Sequence, residues 1–251
     1  MIELKNFSCF YGKREVVKSC CLSIRNGELT ALLGPNGCGK STLIKGLCKS
    51  VAVKGVCLVD GEKLSDDPKT LAKHLAYIPQ RSGVNITLSV LDVVLMGANH
   101  RSSVFGDYNR HQRTEAADVL QKFTDIPPDT DFLTLSEGQK QLVILARAFF
   151  QSADNLLLDE PESALDFNNK HMILSKIQEL AASGKCILVT MHDPSLALRY
   201  CDRLLFMKDG EIVGDAYTAG ADPDKLEELF RKLYPDVQLV HSSGRLLLDR
   251  Q

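Results

Sequence analysis

One eight-residue run constrains this chain more than any other. Gly34-Pro35-Asn36-Gly37-Cys38-Gly39-Lys40-Ser41 fits the pattern G-x-x-x-x-G-K-[ST]. It follows the apolar run LTALL and precedes a stretch in which Leu43, Leu47 and Ile44, Cys48 recur at i, i+4 spacing. The first segment reads as a strand buried on both faces, the second as a helix over residues 41–49. The glycines of such a loop let successive N–H groups turn inward and form a cradle for an anion. The helix start adds the positive end of its dipole. Lys40 supplies a point charge for β- and γ-phosphates, and Ser41 a hydroxyl for magnesium.

The flanking sequence agrees with an α/β arrangement. The first 30 residues read as β-structure, with Ile2, Leu4 and Phe7 in a strand and Asn26-Gly27 as a hairpin turn. Asp60-Gly61 and Asp209-Gly210 are two further hairpin turns between apolar runs. Residues 156–158 and 186–191 read as buried strands. Ile173, Ile177 and Leu180 mark a helix stopped at Gly184, and Asp193-Pro194 reads as an N-cap followed by proline at the first helical position. Alternating buried strands and helices imply a mostly parallel sheet covered on both faces.

Residues 81–134 differ. Val90, Val93, Val94 and Gly97 fall at helical spacing, as do Ala116, Val119, Leu120 and Phe123, around a polar loop at 99–109. No buried strand interrupts them, so this stretch reads as an inserted helical lobe, with approximate outer limits of 81–150. The chain, 1–251, is expected to be a single domain. Its parts are an N-terminal antiparallel β subdomain, an α/β core with a mostly parallel sheet, and that lobe.

Composition excludes several classes. With 44% hydrophobic and 25% charged residues, the chain can bury a core, and global disorder is ruled out. Thirty basic residues against 32 acidic ones give a net charge of −2, so no basic field invites nucleic acid. No apolar run approaches the roughly 18–20 residues that cross a bilayer, and MIELKNFSCF does not read as a signal peptide. Any membrane role is expected to be peripheral. The eight cysteines lack C-x-x-C spacing and read as small, reduced hydrophobic residues.

A second feature, this one acidic, has chemical meaning. Leu156-Leu157-Leu158-Asp159-Glu160 is an apolar strand ending in two carboxylates. Ligands of open parallel sheets bind at the carboxyl ends of strands. Asp159 is therefore expected to hold magnesium, and Glu160 to orient and deprotonate an attacking water.

Leu135-Ser136-Glu137-Gly138-Gln139 precedes a helix. Here the chain resembles the ATP-binding subunits of ABC transporters, whose signature is LSGGQ; Glu137 stands in place of a glycine. Taken by itself, Ser136 with Gln139 is a possible capping box, which leaves Gly138 unexplained. Four other elements of the resemblance occur in order: Tyr11, Gln80, Ser163-Ala164-Leu165-Asp166 and His192. The resemblance implies that Tyr11 stacks on adenine and that Gln80 joins the metal site to the helical lobe. Residues 163–166 would face a partner subunit, and His192 would contact the γ-phosphate. Glu162, where threonine is common, departs from the pattern.

The same resemblance implies a P-loop NTPase fold, ATP with Mg2+, and a head-to-tail dimer of two copies. Each ATP would lie between residues 34–42 of one copy, Thr42 included, and residues 136–139 of the other. Membrane permease subunits would dock on the helical lobe, an extracytoplasmic substrate-binding protein would belong to the system, and the chain would sit on the cytoplasmic face of the plasma membrane. The stretch LDVVLMGANH at 91–100 and the tail at 226–240 resemble importers of ferric siderophores, haem and cobalamin. Importers of zinc, manganese or molybdate are the nearest alternatives. An ABC ATPase without a transporter and an unrelated P-loop kinase or GTPase are the more distant ones.

Overall fold

The N-terminal residues pair as antiparallel β-structure. The computed structural model of the protein describes residues 1–80, 82–99, 108–163, 165–242 and 245–250. Strands β1 (Ile2–Tyr11) and β2 (Arg14–Ile24) form a hairpin in which Leu4 faces Leu22 and Tyr11 faces Arg14. β3 (Leu29–Leu33) is buried at every residue, and α1 (Lys40–Leu47) follows the glycine loop. β4 (Ala52–Val59) runs antiparallel to β1 and turns through Asp60-Gly61 into β5 (Glu62–Lys63). The order β2-β1-β4-β5 is the expected antiparallel subdomain. α1 lies against β1, β2 and β4, burying Leu43, Ile44 and Leu47.

One turn departs from expectation. Asn26-Gly27 closes no hairpin, because β2 and β3 belong to different sheets. Asn-Gly signals a hairpin only when the flanking strands pair. Here five consecutive buried residues suit β3 to parallel neighbours on both sides, not to the half-exposed β2. The Gly27 amide instead donates to the Lys185 carbonyl at 3.0 Å, and the Asn26 side chain accepts from the terminal amine of Met1.

Ser65–Ile177 form a compact unit of their own. Asp67 caps α2 (Pro68–His74), accepting from the Thr70 amide at 2.8 Å, and β6 (Leu75–Ile78) follows. Helices α3 (Val90–Leu95), α4 (Arg110–Gln121) and α5 (Glu137–Phe150) pack on one another through Val90, Val93, Val94, Ala116 and Leu120, all buried. Of the polar loop expected at 99–109, residues 100–107 lie outside the described residues. β7 (Asn155–Asp159) runs parallel to β6, and α6 (Phe167–Ala182) comes next.

The other unit joins Met1–Leu64 to Gln178–Gln251. It adds β8 (Cys186–Thr190), α7 (Pro194–Tyr200), β9 (Arg203–Lys208), β10 (Glu211–Tyr217), α8 (Pro223–Leu233) and the pair β11 (Val237–Ser242) and β12 (Arg245–Arg250). β3 is parallel to both β8 and β9, while β10 returns antiparallel to β9 through Asp209-Gly210. α8 covers β9 and β10, with the rings of Phe206 and Phe230 5.0 Å apart, edge to face. All eight cysteines are free and six are buried, which pushes the thiols of Cys9, Cys20 and Cys186 up to about 12. Among the described residues no helix is long and apolar enough to cross a membrane.

Candidate functional site

Parallel pairing fixes where the glycine loop emerges. Leu32 faces Thr190 of β8, and Leu33 faces Phe206 of β9. The loop therefore leaves the carboxyl edge of these strands, where open α/β sheets bind ligands. The Met191 amide donates to the Leu32 carbonyl at 3.3 Å, so His192, which is exposed, emerges at the same edge.

The loop itself is an anion cradle. A Cβ on Gly34 would meet the Met207 carbonyl oxygen at 2.2 Å and the Cys38 sulfur at 2.6 Å. Gly39, at φ +117, precedes α1 and offers no side chain to cap it. A helix start of this kind presents its backbone N–H groups and the positive end of its dipole to an anion. Lys40 is 5% exposed, and its ammonium donates to the carbonyls of Gly34 at 2.7 Å and Pro35 at 3.3 Å. The side chain is thus held back along the loop, with its charge under the cradle. Burial raises the Cys38 thiol, while the Lys40 charge pulls the other way. Ser41 and Thr42 are half-buried, Asn36 and Gly37 are exposed, and Tyr11 stands 47% exposed at the end of β1.

In the Ser65–Ile177 unit, register again explains a contact. Ile78 of β6 faces Leu158 of β7. Two residues beyond that pair stand Gln80 and Glu160, and the Gln80 amide donates to the Glu160 carboxylate at 2.8 Å and to the Ser163 hydroxyl at 3.0 Å. Asp159 and Glu160 are buried to 7% and 9% exposure. Glu160 adopts φ +50, a left-handed conformation that costs a non-glycine residue of order 1 kcal/mol and clusters at functional sites.

The segment before α5 is a complete capping box. Ser136 Oγ accepts from the Gln139 amide at 3.3 Å, and Gln139 Oε1 accepts from the Ser136 amide at 3.0 Å. Glu137 pairs with Lys140 at 2.9 Å, and a carboxylate in the first turn also suits the helix dipole. That accounts for its presence there. Gly138, which the capping box leaves unexplained, lies where a Cβ would meet the Asn169 side chain at 2.7 Å. Asn169 is tied to Asp166, donating from its backbone at 2.9 Å and its side chain at 2.8 Å. Asp166 therefore caps the start of α6. Glu162 is 2% exposed. Ala164 and His100, both part of expected motifs, lie outside the described residues.

Sequence reading missed three participants. Asn169 sits behind Gly138, and Met207 and Gly210 stand against the glycine loop. Asn169 and Met207 carry no local signal, and Asp209-Gly210 signals only a turn, because each meets its partner across a long stretch of chain.

A glycine cradle at a strand's carboxyl end, with a buried lysine beneath it, is how α/β proteins hold the phosphates of a nucleoside triphosphate, and this is the class of protein here. The sequence pattern of the ABC transporter family matches residues 17–163, and the chain belongs to that family. As a member it is an ATP-binding, ATP-hydrolysing subunit. It is 38% identical over 236 residues to the hemin import ATP-binding protein HmuV of Vibrio parahaemolyticus, covering 90% of this chain and 89% of that one. It is 34% identical over 223 residues to a probable iron chelatin transport ATP-binding protein of Helicobacter pylori, covering 87% and 88%. Among solved structures, it resembles a dimeric post-hydrolysis state of the ATP-binding cassette MJ0796 bound to ADP and Pi. That match has a TM-score of 0.76 and 27% identity, and covers 88% of this chain and 100% of that one.

Proposed function

We propose that this chain energises the import of a metal chelate of the haem and ferric-siderophore class. The observation that carries the cargo is the near full-length likeness to a hemin import ATP-binding protein at 38% identity. The stretch LDVVLMGANH at 91–100, with Met96-Gly97 followed by His100, supports it. The chain works as a pair of copies on the cytoplasmic face of the membrane, with the lobe at 81–150 engaging separate permease subunits. An extracytoplasmic binding protein delivers the chelate. The dimeric form of the MJ0796 cassette supports the pairing.

The site residues divide the work of hydrolysis. Residues 34–42 and Lys40 bind the phosphates, and Tyr11 stacks on the adenine. Ser136, Gly138 and Gln139 present the start of α5 to the nucleotide of the other copy, beside Asp166. The Ser41 hydroxyl, the Asp159 carboxylate and the Gln80 amide oxygen are all hard oxygen donors, the set that suits Mg2+. That ion would neutralise phosphate charge when bound. Glu160, held by Gln80 at 2.8 Å, orients the attacking water and takes its proton, and His192 contacts the γ-phosphate.

Uptake measured in cells carrying this chain with its neighbouring permease tests the cargo. Labelled hemin and ferric siderophores should accumulate in an ATP-dependent way, and cobalamin and zinc should not. Uptake of zinc alone would overturn the assignment.

A further inference from the structure

The β9–β10 turn touches the phosphate loop directly. Because Leu33 faces Phe206, Met207 and the turn beyond it lie beside residues 34–39. The Gly210 amide donates to the Cys38 carbonyl oxygen at 2.9 Å, and the Gly210 carbonyl accepts from the Lys18 amide of β2 at 2.8 Å. Met207 packs on both cradle glycines. Its carbonyl oxygen is 2.2 Å from where a Cβ on Gly34 would sit, and its Cε is 2.9 Å from that of Gly39.

Gly210 has no room to change. It sits at φ +86, and a Cβ there would lie 2.2 Å from the Val16 carbonyl oxygen. Hairpin geometry alone does not demand this. The Asp60-Gly61 turn uses the same two residues, with Gly61 at φ +85, and a Cβ there meets nothing within 4 Å.

We propose that Gly210 is a positioning residue for binding the nucleotide phosphates. In the trans peptide joining Cys38 to Gly39, the carbonyl and the next N–H point in opposite directions. Tying the Cys38 carbonyl to Gly210 therefore aims the Gly39 N–H away from the hairpin and into the cradle. The Lys18 bond holds Gly210 in turn, so β2, the β9–β10 turn and the phosphate loop form one backbone relay. A displaced turn frees the peptide to rotate and removes a donor from the phosphates. The proposal rests on the phosphate-loop reading.

Four proteins test it: the wild type, Gly210→Ala, Gly61→Ala and Lys40→Ala. ATPase rates are measured against ATP concentration, and ADP binding by calorimetry. Both glycine variants share the left-handed strain, so they differ in the relay contacts. Gly210→Ala should raise KM for ATP and Kd for ADP about 10-fold or more, the size of one lost hydrogen bond to a charged group. Its kcat should stay within about 3-fold, as for loss of binding common to ground and transition states. Gly61→Ala should leave both constants unchanged.

Should Gly210→Ala fail to fold, hydrogen exchange on the wild type decides. Saturating ADP should slow the Gly210 and Lys18 amides at least about 10-fold and leave Gly61 unchanged, because a ligand of the closed loop protects what closes it. Normal KM in a folded Gly210→Ala, or exchange at Gly210 and Lys18 indifferent to ADP, overturns the relay. If Lys40→Ala binds ADP as tightly as wild type, the phosphate-loop reading falls and takes the relay with it. If Lys40→Ala loses ADP while Gly210→Ala keeps it, the relay alone falls.

Discussion

Arg203 shows what a single charged side chain does when drawn inside this fold. Its guanidinium donates to Asp215 at 2.9 and 2.6 Å and to the Ser23 carbonyl at 2.8 Å, and lies 3.7 Å from Glu28. Glu28 is 6% exposed and accepts from Thr30 at 2.7 Å and from Tyr217 at 3.2 Å. Since Arg203 faces Thr30 in the β3–β9 register, the cluster sits at the amino ends of these strands, away from the glycine loop. Arg203→Ala leaves the Glu28 carboxylate buried without its cation, which costs about 3 kcal/mol. Urea unfolding should show that loss while KM for ATP holds; unchanged stability would mean the carboxylate finds another partner. The sequence marks Lys40, whose role is written in eight consecutive residues. It does not mark Arg203, whose partners at 23, 28 and 215 are assembled only by folding.

Elements were legible where a local cap and a hydrophobic period agree. Asp193-Pro194 opens α7 as read, with the Asp193 carboxylate accepting from the Ser195 amide at 2.9 Å and the Leu196 amide at 3.2 Å. The Ser136–Gln139 box at α5 is a second case. Asn26-Gly27 misled because a turn signal does not say whether its flanking strands pair, and β3 is claimed by β8 and β9 instead. Asp193→Ala should cost about 1 kcal/mol, the usual value of a cap. In a chain of this size that lowers Tm by roughly 2–4 °C. Because the cap directly follows His192, the ATPase rate should fall with it. A calorimetric scan showing no shift would mean water replaces the cap.

At the scale of the molecule, the order of motifs from Tyr11 to His192 in the sequence carries both the fold class and the class of chemistry. The chain's own turns and packing supplied the rest: the bracing of the phosphate loop by Met207 and Gly210, and the packing of Gly138 on Asn169. Those contacts depend on strand register and long-range closure, which no short window of sequence holds. The proposed hydrolytic site is completed by a second copy and fired by Glu160. Sedimentation of Glu160→Gln with ATP and Mg2+ tests both parts at once. The prediction is a species of twice 27.7 kDa whose turnover is at least about 100-fold below wild type. A monomer hydrolysing ATP at the wild-type rate would contradict it.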